Sequence, residues 1–177
     1  GLPLPTWFAL LGSTIGNFLP AEATRLLARI SGHMRPGDRF LMGADLRPGP
    51  QKSLERLELA YNDARGVTAA FNLNLLRVLN RELSSDFDLT AFRHDAFYNE
   101  DEGRIEMHLE ALRHQTVHVS DGHLIEIAAG ETIRTEISCK YDRPTVAGLF
   151  DSAGMVLEQW AEDGQGLFAL ALARVAD

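Results

Sequence analysis

A continuous apolar run, Trp7 to Leu11, constrains this chain's fold more than any other feature. Unbroken apolarity suits a strand buried on both faces, as in a parallel sheet. A loop of small residues, Gly12-Ser13-Thr14-Ile15-Gly16-Asn17, follows it. Pro20 then marks a helix start ahead of Ala23, Leu26, Leu27 and Ile30 at helical spacing. The turn Arg35-Pro36-Gly37-Asp38 leads to a second strand, Arg39 to Ala44, ending at Asp45. Strand, helix and strand in that order predict a βαβ unit with a right-handed crossover. The first strand needs a neighbour on its other side, or it is an unprotected edge. The sheet is therefore expected to be incomplete: either a partner chain or self-association covers that edge, or this is the back portion of a longer protein.

The middle of the chain changes character. Arg47-Pro48-Gly49-Pro50 reads as a linker, and Leu54, Leu57 and Ala60 or Tyr61 suggest a helix. A second helix is expected from about Val67 to Leu83, with Val67, Phe71, Leu75, Val78, Leu79 and Leu83 on one apolar face. From Phe92 to Tyr141 the period becomes two. Ile105, Met107, Leu109 and Ala111 alternate with polar residues, and turn signals fall at Asn99 to Gly103, Ser120-Asp121-Gly122 and Ala129-Gly130. That pattern predicts an antiparallel sheet, although Glu106 to Gln115 is rich in helix formers. The end reads as a helix from Pro144 to Ala153, then a hairpin of Met155 to Trp160 and Leu167 to Arg174 around Asp163-Gly164-Gln165-Gly166.

Composition narrows the function classes. The 177 residues carry 17 Lys+Arg against 25 Asp+Glu, a net charge of −8, with 45% hydrophobic residues. One domain or two small ones are expected. An acidic balance argues against nucleic acid, whose phosphates need a basic face. No apolar run approaches the roughly 20 residues that cross a bilayer, so no membrane partner is expected, and the start lacks a secretory layout. The single Cys139 can form neither an internal disulfide nor a cysteine metal cage, which favours a cytoplasmic protein.

Four segments place polar residues where a site would lie. Gly12 to Asn17 sits at the C-terminal end of the first strand, where open α/β sheets bind ligands; the plain alternative is a strand-to-helix turn, and GxGxxG is missing. In Ala60-Tyr61-Asn62-Asp63, Tyr61 can donate to a carboxylate, or it packs on a helix while Asp63 or Thr68 caps the next one. In Phe71-Asn72-Leu73-Asn74, Phe71 and Asn74 share a helical face, with amides beside an apolar stripe. On a strand through Thr135-Glu136-Ile137-Ser138-Cys139-Lys140, Glu136 and Ser138 point to one side, where a carboxylate and a hydroxyl can grip an imidazole or an amine; an exposed sheet face explains them equally. His114 and His118 read as surface residues, not a metal pair, and no metal is expected. Nor is there a nucleophilic triad, since nothing near Cys139 would activate it.

Taken together, the strings LLGSTIGNF, AYNDARGVTAAFNLNLLRVLNREL, GRIEMHL and GETIRTEISCKY resemble, in order, the histidine-specific S-adenosylmethionine-dependent methyltransferases of ergothioneine biosynthesis. Members of that family trimethylate the α-amine of L-histidine to hercynine. The resemblance runs from about Trp7 to Arg174. It implies an α/β fold, a partial Rossmann-like methyltransferase sheet with an inserted α+β substrate-binding domain. Residues 1–45 would be the later βαβ part, 46–141 the substrate-binding domain, and 142–177 the helix and hairpin returning to the sheet.

The resemblance also implies an amino-acid pocket. Gly12, through its backbone, and Asn17 would hold the amine and carboxylate end, with Tyr61 also on the carboxylate and a candidate participant in catalysis. Phe71 and Met107 would wall the side chain, and Glu136 with Ser138 would bind the imidazole nitrogens. S-adenosylmethionine is the implied cofactor. The family's glycine-rich cofactor loop and ribose-binding acidic residue have no counterpart in these residues, so this chain alone is expected to be incomplete for catalysis. The alternatives are a non-catalytic amino-acid-binding or assembly module, and a methyltransferase for another aromatic amino acid.

Overall fold

The computed structural model describes residues 5–120 and 122–176. Asp121, in the turn expected at Ser120 to Gly122, lies outside them. The chain divides into two compact units: Gly1–Leu54 with Asn99–Arg104 and Ser138–Asp177, and Glu55–Tyr98 with Ile105–Ile137.

The first unit is built on a four-stranded sheet. Strand β1 (Trp7–Leu10) is followed by helix α1 (Pro20–Ser31) and strand β2 (Arg39–Asp45). The strands pair in parallel from Trp7 opposite Arg39 to Leu10 opposite Met42, as the βαβ reading requires. Helix α1 begins at a proline, and Glu22 accepts from the Leu19 amide at 2.9 Å, satisfying a donor the helix cannot. The returning segment supplies α4 (Arg143–Ser152), β8 (Met155–Glu162) and β9 (Phe168–Val175). Strand β9 runs antiparallel between β2 and β8, giving the order β1-β2-β9-β8. Asp163 closes the expected hairpin by accepting from the amides of Leu167 (2.6 Å) and Phe168 (3.0 Å). Phe40 meets Phe150 edge to face, with ring centroids 5.9 Å apart, in a core shared with Ile15, Leu27, Met42 and Met155.

One expectation fails here. Strand β1 is not buried on both faces: none of its residues is buried and Trp7 is 62% exposed, and among the described residues it pairs with β2 alone.

The second unit carries helices α2 (Leu54–Tyr61) and α3 (Val67–Glu82), strands β3 (Phe92–Asn99), β4 (Arg104–Ala111) and β7 (Thr132–Cys139) in the order β3-β4-β7, and a separate antiparallel pair, β5 (Gln115–His118) with β6 (Leu124–Ile127). The single sheet expected between Phe92 and Tyr141 is thus two sheets. Ile105, Met107, Leu109 and Ala111 are buried as their alternation requires, so the helix formers around them did not prevail. The apolar face expected on α3 needs correction. Leu76 is the helix's buried contribution to the core of Phe87, Phe92, Leu109, Val117 and Ile127, with Leu73 and Leu79 packed beside it. Val67, Phe71 and Leu83 are exposed, Phe71 at 67%. The helix therefore has two apolar stripes, and only one faces the core.

Candidate functional site

In the first unit the loop after β1 is set by backbone strain and close approach. Gly12 (φ 70°) and Ser13 (φ 55°) both take left-handed conformations, and Ser13 Oγ accepts from the Asp45 amide at 2.9 Å. Gly16 lies against the end of β7: a Cβ there would sit 2.8 Å from the Cys139 carbonyl oxygen and 3.5 Å from Ser138 Oγ. Buried Tyr141 donates its hydroxyl to the Ile15 carbonyl at 3.1 Å. These contacts hold the turn carrying Gly12 and Asn17 against the segment carrying Ser138, and Asn17 itself is exposed.

Ser138 is tied in turn to a buried charge cluster. Its Oγ accepts from Lys140 Nζ at 2.8 Å, and the same ammonium meets Asp45 Oδ2 at 2.7 Å. Lys52 Nζ meets Asp45 Oδ1 at 2.5 Å and donates to the Leu46 carbonyl at 2.6 Å. Burial pushes the Cys139 thiol pKa up, so it remains an inert thiol. Burial also raises that of the Tyr141 phenol, keeping it a donor.

In the second unit Tyr61 and Met107 share a cluster with Leu57, Ala96 and Ile105. The segment after Tyr61 is fixed by its own side chains. Asn62 Nδ2 donates to the Ala96 carbonyl (2.7 Å), while Asp63 accepts from the amides of Val67 (3.0 Å) and Thr68 (2.8 Å), capping α3. Those amides hold the Asp63 carboxyl at a pKa of about 2.

Phe71 and Glu136 line one cavity of about 260 Å³ in this unit. Its wall is the second apolar stripe of α3, Phe71, Leu75 and Val78; Asn72, Asn74, Thr135 and Glu136 are its polar members. Thr135 Oγ1 donates to the Met107 carbonyl (3.0 Å), and Asn74 Oδ1 accepts from Arg77 (3.0 Å). An aromatic and aliphatic wall with a half-buried carboxylate suits a planar ring bearing N–H donors.

The structure thus groups the candidates as Gly12, Asn17 and Ser138 in the first unit, and as Tyr61 with Met107 and Phe71 with Glu136 in the second. Sequence reasoning missed Asp45, Lys52 and Lys140 as a cluster and gave no role to His94, whose only sequence signal is a histidine in a strand pattern. His114 and His118 pair with Glu126 (2.8 Å) and Asp86 (2.9 Å), and no grouping of His, Cys, Asp and Glu fit to hold a metal occurs among the described residues. The carboxylate ending β2, Asp45, is already paired with Lys52 and Lys140.

A family model described as histidine-specific methyltransferase, SAM-dependent, matches residues 3–175. The histidine N-alpha-methyltransferase of Mycolicibacterium smegmatis is 48% identical over 164 residues, which is 92% of this chain and 50% of that protein. Its namesake from Mycobacterium tuberculosis is 46% identical over 167 residues, 94% of this chain and 51% of that protein. The L-tryptophan methyltransferase of Psilocybe serbica is 30% identical over 159 residues, 86% of this chain and 42% of that protein. The chain spans about half the length of these two histidine N-alpha-methyltransferases.

Proposed function

The chain belongs to the SAM-dependent, histidine-specific methyltransferase family, and from that membership we propose that the protein carrying it methylates the α-amine of L-histidine, forming hercynine for ergothioneine biosynthesis. The observation that carries the proposal is the cavity in which Glu136 stands with Phe71 on an apolar wall. In this reading Glu136 and Ser138 take the imidazole nitrogens, and Phe71 and Met107 enclose the ring. Gly12, Asn17 and Tyr61 take the amino-acid end, with Tyr61 also a participant in removing the amine's proton. Residues 1–45 and 142–177 are assigned to the Rossmann-like part and 46–141 to substrate binding. The single, buried Cys139 supports a cytoplasmic site of action, and no helix of the described residues is long and apolar enough to cross a membrane.

S-adenosylmethionine supplies the methyl group as a sulfonium when bound. What these residues contribute is placement: gripping histidine at the ring and at the carboxylate fixes the amine between them. Such orientation can lower a barrier by several kcal/mol, on the order of 7 or more in the best cases. Selectivity has the same source, because a half-buried Glu136 facing an apolar ring lacks its donor. That mismatch costs about 1–3 kcal/mol, or roughly 5- to 150-fold.

The test is steady-state kinetics on the full-length protein. Glu136→Ala should raise the histidine KM by about 10- to 100-fold and leave S-adenosylmethionine binding intact. Unchanged histidine kinetics would refute the assignment. The apolar stripe Phe71, Leu75 and Val78 also favours a second reading, methylation of a larger aromatic amino acid. Competition between tryptophan and histidine separates the two, and histidine binding without turnover would identify a non-catalytic module.

A further inference from the structure

Half-buried His94 and buried Asn72 stand in a chain of hydrogen bonds that has one consistent assignment of donors and acceptors. The side-chain nitrogen of Asn72 lies 3.0 Å from the His108 backbone carbonyl. A carbonyl only accepts, so this atom is fixed as the amide nitrogen. The same nitrogen lies 2.9 Å from His94 Nδ1 and donates its second hydrogen there. His94 Nδ1 is therefore an acceptor, and the ring hydrogen sits on Nε2. That nitrogen is 2.8 Å from the carbonyl oxygen of Tyr61 and donates to it.

The chain runs from β4 through α3 and β3 to the last residue of α2. A carbonyl at a helix end has no partner within the helix, so His94 supplies what α2 cannot. Tyr61 is also where the length of a side chain amplifies error, because its hydroxyl lies at the far end of a rigid ring. A small tilt of the backbone there becomes a large displacement at the oxygen, and about 1 Å of misplacement can cost on the order of 100-fold.

We infer that His94 and Asn72 are positioning residues for the reaction: they lock the Tyr61 backbone so that its phenol meets the carboxylate of the amino-acid ligand. This rests on the reading of Tyr61 as a substrate ligand, and the experiment separates the two. In the full-length protein, His94→Leu should raise the histidine KM by about tenfold and lower kcat as well, because Tyr61 also takes part in removing the amine's proton. Tyr61→Phe should raise it comparably, and the double variant should be no worse than Tyr61→Phe alone. His94→Gln, which keeps a donor and an acceptor, should recover most of the loss. A merely structural role predicts the opposite: His94→Leu would raise KM by the same factor in both backgrounds, and that result overturns the inference while leaving Tyr61 a ligand. If Tyr61→Phe leaves the histidine KM unchanged, both fall. A measurement on the unsubstituted protein covers the case in which His94→Leu does not fold. Nitrogen-15 NMR, with the His94 signal assigned by its loss in His94→Gln, should show the hydrogen on Nε2; a hydrogen on Nδ1 overturns the chain.

Discussion

Asp45 is bound by two ammonium groups, and both are nearly sealed from water: the Lys140 side chain is 1% exposed and that of Lys52 7%. Removing the carboxylate takes a charge partner from both buried cations. Asp45→Asn is expected to cost about 3–5 kcal/mol in denaturant unfolding. Lys140→Met should cost less, because Lys52 still pairs Asp45 and one buried charge disappears. Gly16 makes a separate demand at this scale. Its missing Cβ faces a backbone oxygen, which cannot rotate away, so Gly16→Ala should destabilise by about 1–3 kcal/mol. At this scale the resemblance, rather than local spacing, is what names Phe71 and Glu136 for one pocket, and the structure sets both against one cavity. The Asp45 cluster was not legible in the sequence, because its members are brought together by folding and no local period marks them.

At the level of elements, the start of α3 ties structure to pH. The Asp63 carboxyl is held at about 2 by the amides it caps, against about 3.9 in an unfolded chain. A pKa lowered by folding means that the capping stabilisation is complete above pH 3.9. It declines as the pH falls from there towards 2. Asp38, Asp142 and Asp163 are shifted in the same direction, Asp38 and Asp163 chiefly by backbone amides and Asp142 by its hydrogen bonds to Thr145 against an opposing effect of burial. Thermal unfolding midpoints should therefore drop between about pH 4 and 2, and Asp63→Asn should flatten part of that drop. Most helices and strands were readable from period and punctuation. One exception is instructive: α3 shows more apolar residues than one face can hold, and periodicity cannot say which stripe meets the core. Leu76 does, while Phe71 lies on the other.

For the whole molecule, family and fold class were accessible from four ordered strings, whereas the division at Leu54, Asn99, Arg104 and Ser138 follows contacts that no linker signal marks. One further consequence follows from the bracing between Tyr61 and Thr68. Tyr61 O, Asn62 and Asp63 are each fastened to another part of the second unit before any ligand arrives. A stretch so immobilised has little freedom left to surrender, so encounter with an amino acid should incur a small ordering penalty. Loosening it would show first in faster escape of the bound molecule, with the rate of capture nearly unchanged.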